Sequence, residues 1–404
     1  LIYLSNTEQA FIQANRTADV RSLLLRTHPA NLDIRKLAAQ ISARQKARDK
    51  LPTWYANEAL VFPPSLSVEQ ASSERTAHYK ASLVQGKRLV DLTGGMGVDT
   101  WAFAQRVDEV LYVEQQADLA ELAAHNLPLL NATNVQVVQG DGLTILDKPE
   151  FLTSSADWVY IDPHRRNEQG GKVVQLEDCE PDLSKSATIS SLFEHTRQIL
   201  VKASPLLDIH LAVRQLAGMV NEVHIVAVQG EVKEILFVLS HPSATRQTGF
   251  IKAVNLTSHE SIKFTFNEQE ERDADVLLGD PQTYLYEPNA AVLKAGAFRL
   301  IGQRFGLLKV APHSHLYTSP TLVRDFPGRI FKLQSILKPD AKLLRQVVPD
   351  GKANLTVRNF PQTVAELRKK LSLREGGSIY ILATTLQNGD KRLLITQKVD
   401  QTHS

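Results

Sequence analysis

The stretch Leu89-Val-Asp-Leu-Thr-Gly-Gly-Met-Gly-Val-Asp99 constrains this chain more than any other, because an apolar run closes on an acid and passes straight into a glycine turn. Arg88-Leu-Val-Asp91-Leu is short and apolar. Thr93-Gly94-Gly95-Met96-Gly97 tolerates positive φ or close backbone approach, and Thr100-Trp-Ala-Phe-Ala-Gln-Arg106 resumes at helical spacing. The pattern predicts strand, glycine loop, helix. In open α/β sheets such loops turn backbone N–H groups toward a ligand beyond the carboxyl ends of the strands. A glycine cluster alone is weak evidence, since tight turns use glycine for steric reasons. The series that follows strengthens it: Val110-Leu-Tyr-Val-Glu114, Val135-Gln-Val-Val-Gln-Gly-Asp141-Gly142 and Trp158-Val-Tyr-Ile-Asp162-Pro163-His164 are three more apolar runs closing on carboxylates. Buried carboxylates need partners, so acids repeated at strand ends make sense around a polar ligand.

In this order the residues resemble class I S-adenosyl-L-methionine (SAM) methyltransferases. Asp91-Leu-Thr93-Gly94-Gly95-Met-Gly97 is similar to their first motif, Glu114 to their ribose-binding acid, Asp141 to their adenine-proximal acid, and Asp162-Pro163 to their fourth, catalytic motif. The resemblance implies an α/β, Rossmann-like core: a seven-stranded sheet whose last strand is antiparallel. It also implies SAM as cofactor, held by Asp91, Thr93, Gly94, Gly95, Gly97, Asp99, Thr100, Glu114, Asp141 and Gly142. A nicotinamide-binding Rossmann domain shares the site logic, with its ribose acid about 20 residues past the loop. Its G-x-G-x-x-G fingerprint needs a third glycine, and here Val98-Asp99-Thr100 follows Gly97. A cofactor-free α/β domain is the third reading. Two β runs, Val223-His-Ile-Val-Ala-Val and Val232-Lys-Glu-Ile-Leu-Phe-Val-Leu, around Gln229-Gly-Glu231 form a closing hairpin of the kind the methyltransferase resemblance implies.

Asp162-Pro163-His164-Arg165 stands where amine methyltransferases carry an acid or amide followed by Pro-Pro-aromatic. There the acid orients an exocyclic amine and the aromatic stacks on a flipped base. The second proline and the aromatic are missing here. By this resemblance Asp162 and Pro163 are catalytic, His164 is the candidate base, and Arg165 stacks on a base or pairs with phosphate beside Arg166.

Cys179 is the only cysteine, which excludes an intrachain disulfide, a cysteine-rich zinc site and the cluster that radical SAM chemistry needs. Its neighbours Glu177-Asp-Cys-Glu-Pro-Asp182 disfavour a thiolate, which argues against cysteine-dependent pyrimidine C5 methylation. His313 and His315 have no further ligands near them in sequence, so no metal is expected. There is no run of about 18 apolar residues and no signal-like start, so a cytoplasmic protein without a membrane partner is expected.

Charge divides the chain. Residues 1–61 carry +4, 62–245 carry −10, 246–325 are neutral, and 326–404 hold 14 Lys/Arg against 6 Asp/Glu, or +8. Four regions are expected: an N-terminal helical domain (1–61), a SAM-binding methyltransferase domain (62–245), a small α+β region (246–325) and a basic C-terminal module (326–404). Leu51-Pro-Thr-Trp and Phe62-Pro-Pro-Ser read as linker, and Ser67 to Leu83 as one helix. Leu285-Tyr-Glu-Pro-Asn-Ala-Ala and Ser314-His-Leu-Tyr-Thr-Ser resemble stretches of an uncharacterised bacterial methyltransferase group with a ferredoxin-like region and a THUMP-like C-terminal domain. THUMP modules hold RNA in tRNA-modifying enzymes, so the resemblance implies an RNA methyltransferase acting on a nitrogen of tRNA or rRNA. The +8 equally fits a solvated lysine-rich face. A small-molecule methyltransferase, or an RNA-binding protein that holds SAM without turnover, are the alternatives.

Overall fold

The computed structural model describes residues 4–29, 31–151, 155–165, 175–216, 218–241, 249–258 and 260–400. The chain forms two compact units, Leu1–Asn221 with Ile235–Arg246, and Glu222–Glu234 with Gln247–Ser404.

The first unit opens on helices. Asp33 caps the Ile34–Ala47 helix by accepting from the Lys36 N–H at 3.1 Å, and Leu37, Ala38 and Ile41 bury against Ile12 and Leu23. Of Leu23-Leu-Leu only Leu23 is inside; Leu25 is 88% exposed. The basic end of this helix turns one cation inward. Arg44 is 3% exposed and donates to the carbonyls of Asn57 (3.3 Å), Glu58 (2.9 Å) and Leu60 (2.5 Å). Gln40 pairs with both backbone groups of Phe62, and Asn126 with both of Val61. These amides satisfy backbone that has no sheet partner, so the expected linker is clamped and its Leu60, Val61 and Phe62 are buried.

Two expectations fail for reasons of capping. Pro52 starts the short Pro52–Ala56 helix, where a missing N–H costs nothing. Ser67 to Leu83 is two helices, Ser65–Gln70 and Glu74–Ala81, because Ala71 is extended and Ser73 caps the second by accepting from Thr76 N–H.

The strands of the first unit are β1 (Arg88–Asp91), β2 (Glu109–Glu114), β3 (Val135–Gln139), β4 (Ala156–Ile161) and β5 (Thr196–Ala203). The hairpin that follows is β6 (Val220–Val228) and β7 (Glu231–Ser240). Within this unit the order is β7-β5-β4-β1-β2-β3, parallel except for β7, which runs antiparallel to β5. Register places Val90 beside Leu111 on one side and Val159 on the other. The carboxyl ends of β1, β2 and β4 therefore come to one edge.

From Glu222 onward β6 belongs to the second unit, where β8 (Phe250–Leu256) pairs parallel with it and β9 (Ser261–Asn267) antiparallel with β8. Strands beyond residue 245 thus add to a strand of the closing hairpin. The rest of this unit is a second sheet. It contains β10 (Tyr284–Pro288), β11 (Leu308–Lys309), β12 (Tyr317–Ser319), β13 (Gly328–Leu337), β14 (Asn354–Arg358), β15 (Ile379–Thr385) and β16 (Lys391–Lys398), in the order β11-β12-β10-β13-β16-β15-β14. Its core includes Leu367 and Leu371 of the Val364–Leu371 helix, packed with Leu355, Ile381, Leu393 and Ile395.

Candidate active site

The glycine loop is held from below by side chains that pair with its backbone. Asp91, at the end of β1, is 1% exposed and accepts from Thr93 N–H at 3.0 Å and Thr100 Oγ1 at 2.5 Å. Burial pushes its carboxyl up to about 7, those two hydrogen bonds pull it down, and Asp99 and Asp162 add to the rise. Thr93 Oγ1 accepts from Asp162 N–H at 2.7 Å, so the loop after β1 is tied to the end of β4. Gly94 has no room for a side chain: a Cβ there lies 2.1 Å from the Tyr112 ring. The Tyr112 hydroxyl donates to Gly95 carbonyl at 2.6 Å. Gly97, at φ +86°, starts the Val98–Phe103 helix.

Glu114 ends β2. One of its oxygens accepts from Gly95 N–H and the other from Gln116 N–H, both at 2.8 Å. Asp141, exposed after β3, caps the Gly142–Leu146 helix through Thr144 N–H at 2.9 Å, and its second oxygen accepts from Gln115 at 2.8 Å. The Thr144 backbone N–H holds its carboxyl below the usual range. A Cβ on Gly142 meets the Leu92 carbonyl oxygen at 2.6 Å.

Asp99 and Thr100 lie inside the fold. Thr100 is fully buried on Asp91, and Asp99 accepts from Ser72 Oγ (2.9 Å) and Tyr160 hydroxyl (2.7 Å), with Lys80 Nζ 3.2 Å away. Burial raises the Asp99 carboxyl, but Lys80 and Lys202 outweigh it and hold the group below its ordinary value. Of these two residues expected at the cofactor, Thr100 braces the loop through Asp91, and Asp99 pairs with Ser72, Tyr160 and Lys80.

Asp162 carries an ion pair that the sequence reading missed. Its Oδ2 is bonded to Lys202 Nζ, near the carboxyl end of β5, and no other described residue bonds its Oδ1. The signal was present in Ile199-Leu-Val-Lys-Ala, where a cation interrupts an apolar run as the acids do. Lys80 offers no such signal, since only packing buries it. Pro163 is half-buried and His164 exposed, its backbone pairing with Glu180 and that of Arg165 with Cys179. Arg166 lies outside the described residues. Cys179 is buried, its thiol donating to the Gln175 carbonyl at 3.6 Å. A cavity of about 890 Å³ among the N-terminal helices, lined by Leu24, Arg26, Leu32 and Arg35, includes none of these residues.

Against known proteins, residues 55–147 match the protein-L-isoaspartate(D-aspartate) O-methyltransferase family model, residues 284–327 a ferredoxin-like domain and residues 328–398 a THUMP domain-like model. The uncharacterised S-adenosylmethionine-dependent methyltransferase Rv3037c of Mycobacterium tuberculosis H37Rv is 25% identical over 330 residues, 80% of this chain and 84% of that protein. A crystal structure from Porphyromonas gingivalis W83, named as a methyltransferase, superposes with a TM-score of 0.87 at 35% identity over 98% of both chains. This chain belongs to that family of SAM-dependent methyltransferases with ferredoxin-like and THUMP-like C-terminal domains. Within the methyltransferase, the O-methyltransferase match stops at residue 147, before Asp162, so it covers the glycine-loop side and carries nothing about the acceptor. No helix among the described residues is long and apolar enough to cross a membrane.

Proposed function

We propose that this methyltransferase modifies a nitrogen of RNA, tRNA or rRNA, with residues 62–245 carrying the chemistry and residues 326–404 holding the strand. The observation that carries the reading is the THUMP-like match over 328–398, in a segment with 14 Lys/Arg against 6 Asp/Glu. Phosphate contacts need such an excess.

The residues at the sheet edge fit SAM. Glu114 has used two of about four acceptor positions on the loop, leaving the others for ribose hydroxyls. Asp141 is exposed beside the same loop and suits the adenine side. Gly94, Gly95 and Gly97 keep the backbone bare, Gly142 keeps the next turn close, and Asp91, Thr93 and Thr100 hold that shape. Bound SAM supplies an activated methyl group, and the protein's share is to hold the acceptor lone pair in line with it.

Asp162 does this with one oxygen fixed by Lys202 and the other free to accept an N–H of the acceptor amine. His164, exposed two residues on, takes the released proton, while Arg165 and Arg166 anchor the substrate. The test is transfer of labelled methyl from SAM to total RNA, separated by size. Label is expected in the tRNA or rRNA fraction, and its absence from every fraction despite measurable SAM binding would overturn the reading. The ion pair on Asp162 favours one second reading, an RNA-binding protein that holds SAM with the pair closed; binding of both ligands without labelled RNA identifies it.

A further inference from the structure

The second unit contains a buried cation without a contacting counter-ion. Lys309, in β11, is 5% exposed, and among the described residues its ammonium makes no hydrogen bond or ion pair. It lies over the Phe298 ring, whose centroid is 5.8 Å from Nζ. Burial lowers its pKa, Glu271 opposes that, and Arg299 adds to the fall. Glu271 is already engaged: it accepts the backbone N–H groups of Phe298 (3.1 Å), Arg299 (2.9 Å) and Leu300 (2.9 Å). The ammonium itself is not sealed from solvent, so an anion can reach it and offset the cost of holding the charge against an apolar ring.

His315 faces the same ring. Its imidazole lies 3.9 Å from Phe298, centroid to centroid, at 30°. Its backbone sits at φ +49° and its Nδ1 is sealed from solvent without a hydrogen-bond partner. Burial, Lys309, Arg358 and His313 push the ring down to about 4, so it is neutral at pH 7. Ser314 between the histidines is fully buried and fixes the turn by bonding Ala311 N–H and carbonyl. Arg358 and Arg329 share the single buried carboxylate of Glu287. Around Phe298 and Glu287, four cations (Arg299, Lys309, Arg329, Arg358) therefore meet two carboxylates, Glu271 and Glu287. A metal does not suit His313 and His315, because Lys309 and Arg358 repel it.

We propose that Lys309 and His315, grouped on Phe298, form a binding site for a phosphate group, carried by a nucleotide or by a nucleic-acid strand. The ammonium supplies the charge, and the half-buried imidazole, as its Nε2–H tautomer, donates a hydrogen bond to a phosphate oxygen from the ring nitrogen that is not sealed. A phosphate presents several acceptor oxygens to donors converging from different segments, which a single carboxylate matches less well. The site is independent of which acceptor receives the methyl group.

The test uses the full chain in phosphate-free buffer with orthophosphate, uridine monophosphate or a single-stranded oligouridylate as the probe. Thermal melting and the imidazole resonances of His315 are the readouts. A probe is expected to raise Tm and to move the His315 midpoint upward, since a neighbouring anion favours imidazolium. K309M is expected to lose at least about tenfold in affinity for the probe and to melt above the wild type without it, because methionine removes the unpaired charge. H315N, which the positive-φ backbone accepts, is expected to weaken binding by about tenfold. Response to the oligonucleotide alone assigns the site to a strand; response to orthophosphate or the mononucleotide assigns it to free phosphate monoesters. No response to any probe, or a response in K309M and H315N equal to that of the wild type, overturns the proposal. RNA methylation that persists without the response removes this site alone, and a response without RNA methylation removes only the acceptor reading.

Discussion

Gly94 and Gly95 sit side by side for different reasons, and substitution separates them. A Cβ at Gly94 has the Tyr112 ring at 2.1 Å, and that ring is pinned by its hydroxyl on Gly95. A Cβ at Gly95 meets only the Thr93 carbonyl oxygen, at an ordinary 3.8 Å, but its φ is +55°. G94A is therefore expected to cost about 1–3 kcal/mol and about tenfold or more in SAM affinity, whereas G95A costs about 1–2 kcal/mol from backbone strain; denaturation and calorimetric SAM titration check both. Asp91 makes a second prediction. Its folded pKa of about 7 lies above the ordinary 3.8, so its protonated form favours the fold. That contribution is full below pH 3.8 and is lost as pH rises through about 7. D91N, whose amide can donate to Thr100 Oγ1, is neutral throughout. Its Tm relative to wild type is expected to climb between pH 4 and pH 8, and a constant difference across that range would contradict the burial argument.

Among elements, the carboxyl ends of β4 and β5 meet through Asp162 and Lys202, and the glycine loop is fastened to β4 by Thr93. D162A is expected to lower methyl transfer by about 100-fold or more while leaving SAM affinity nearly unchanged, because in the proposed function the acid addresses the acceptor. Comparing kcat/KM with the SAM Kd checks this, and equal losses in both would move Asp162 to the cofactor side. Another element-level device is the clamp on residues 57–62. R44M leaves three carbonyls, of which that of Leu60 is buried, without this donor and is expected to cost about 1–3 kcal/mol by urea denaturation. The sequence showed Arg44 in a basic run, which reads equally well as a solvated face. Only the return of the 57–60 backbone onto the helix makes it structural.

Over the whole molecule, the acidic 62–245 and the basic 326–404 divide the labour that the proposed function requires. On the Val364–Leu371 helix Lys369 and Lys370 are exposed, but Arg368 is half-buried, 3.7 Å from Glu375. If the strand lies on this module, K369A/K370A is expected to weaken RNA binding across sequences and to reduce the slope of log affinity against log salt by about 1.5. An unchanged slope would place the phosphate contacts elsewhere.

The four acids, the glycine turn and the closing hairpin were legible in sequence because strand ends and tight turns are local events, written in residues a few positions apart. They determined the α/β class, and through the family resemblance they carry, the antiparallel last strand and the methyl donor. What the tertiary structure decided lies in pairs far apart along the chain: Lys202 on Asp162, Lys80 and Ser72 behind Asp99, Arg44 on the 57–60 carbonyls, and Lys309 with His315 on Phe298. A buried charge is expensive until its partner arrives from another strand or helix, and no spacing rule in one chain says which partner that is.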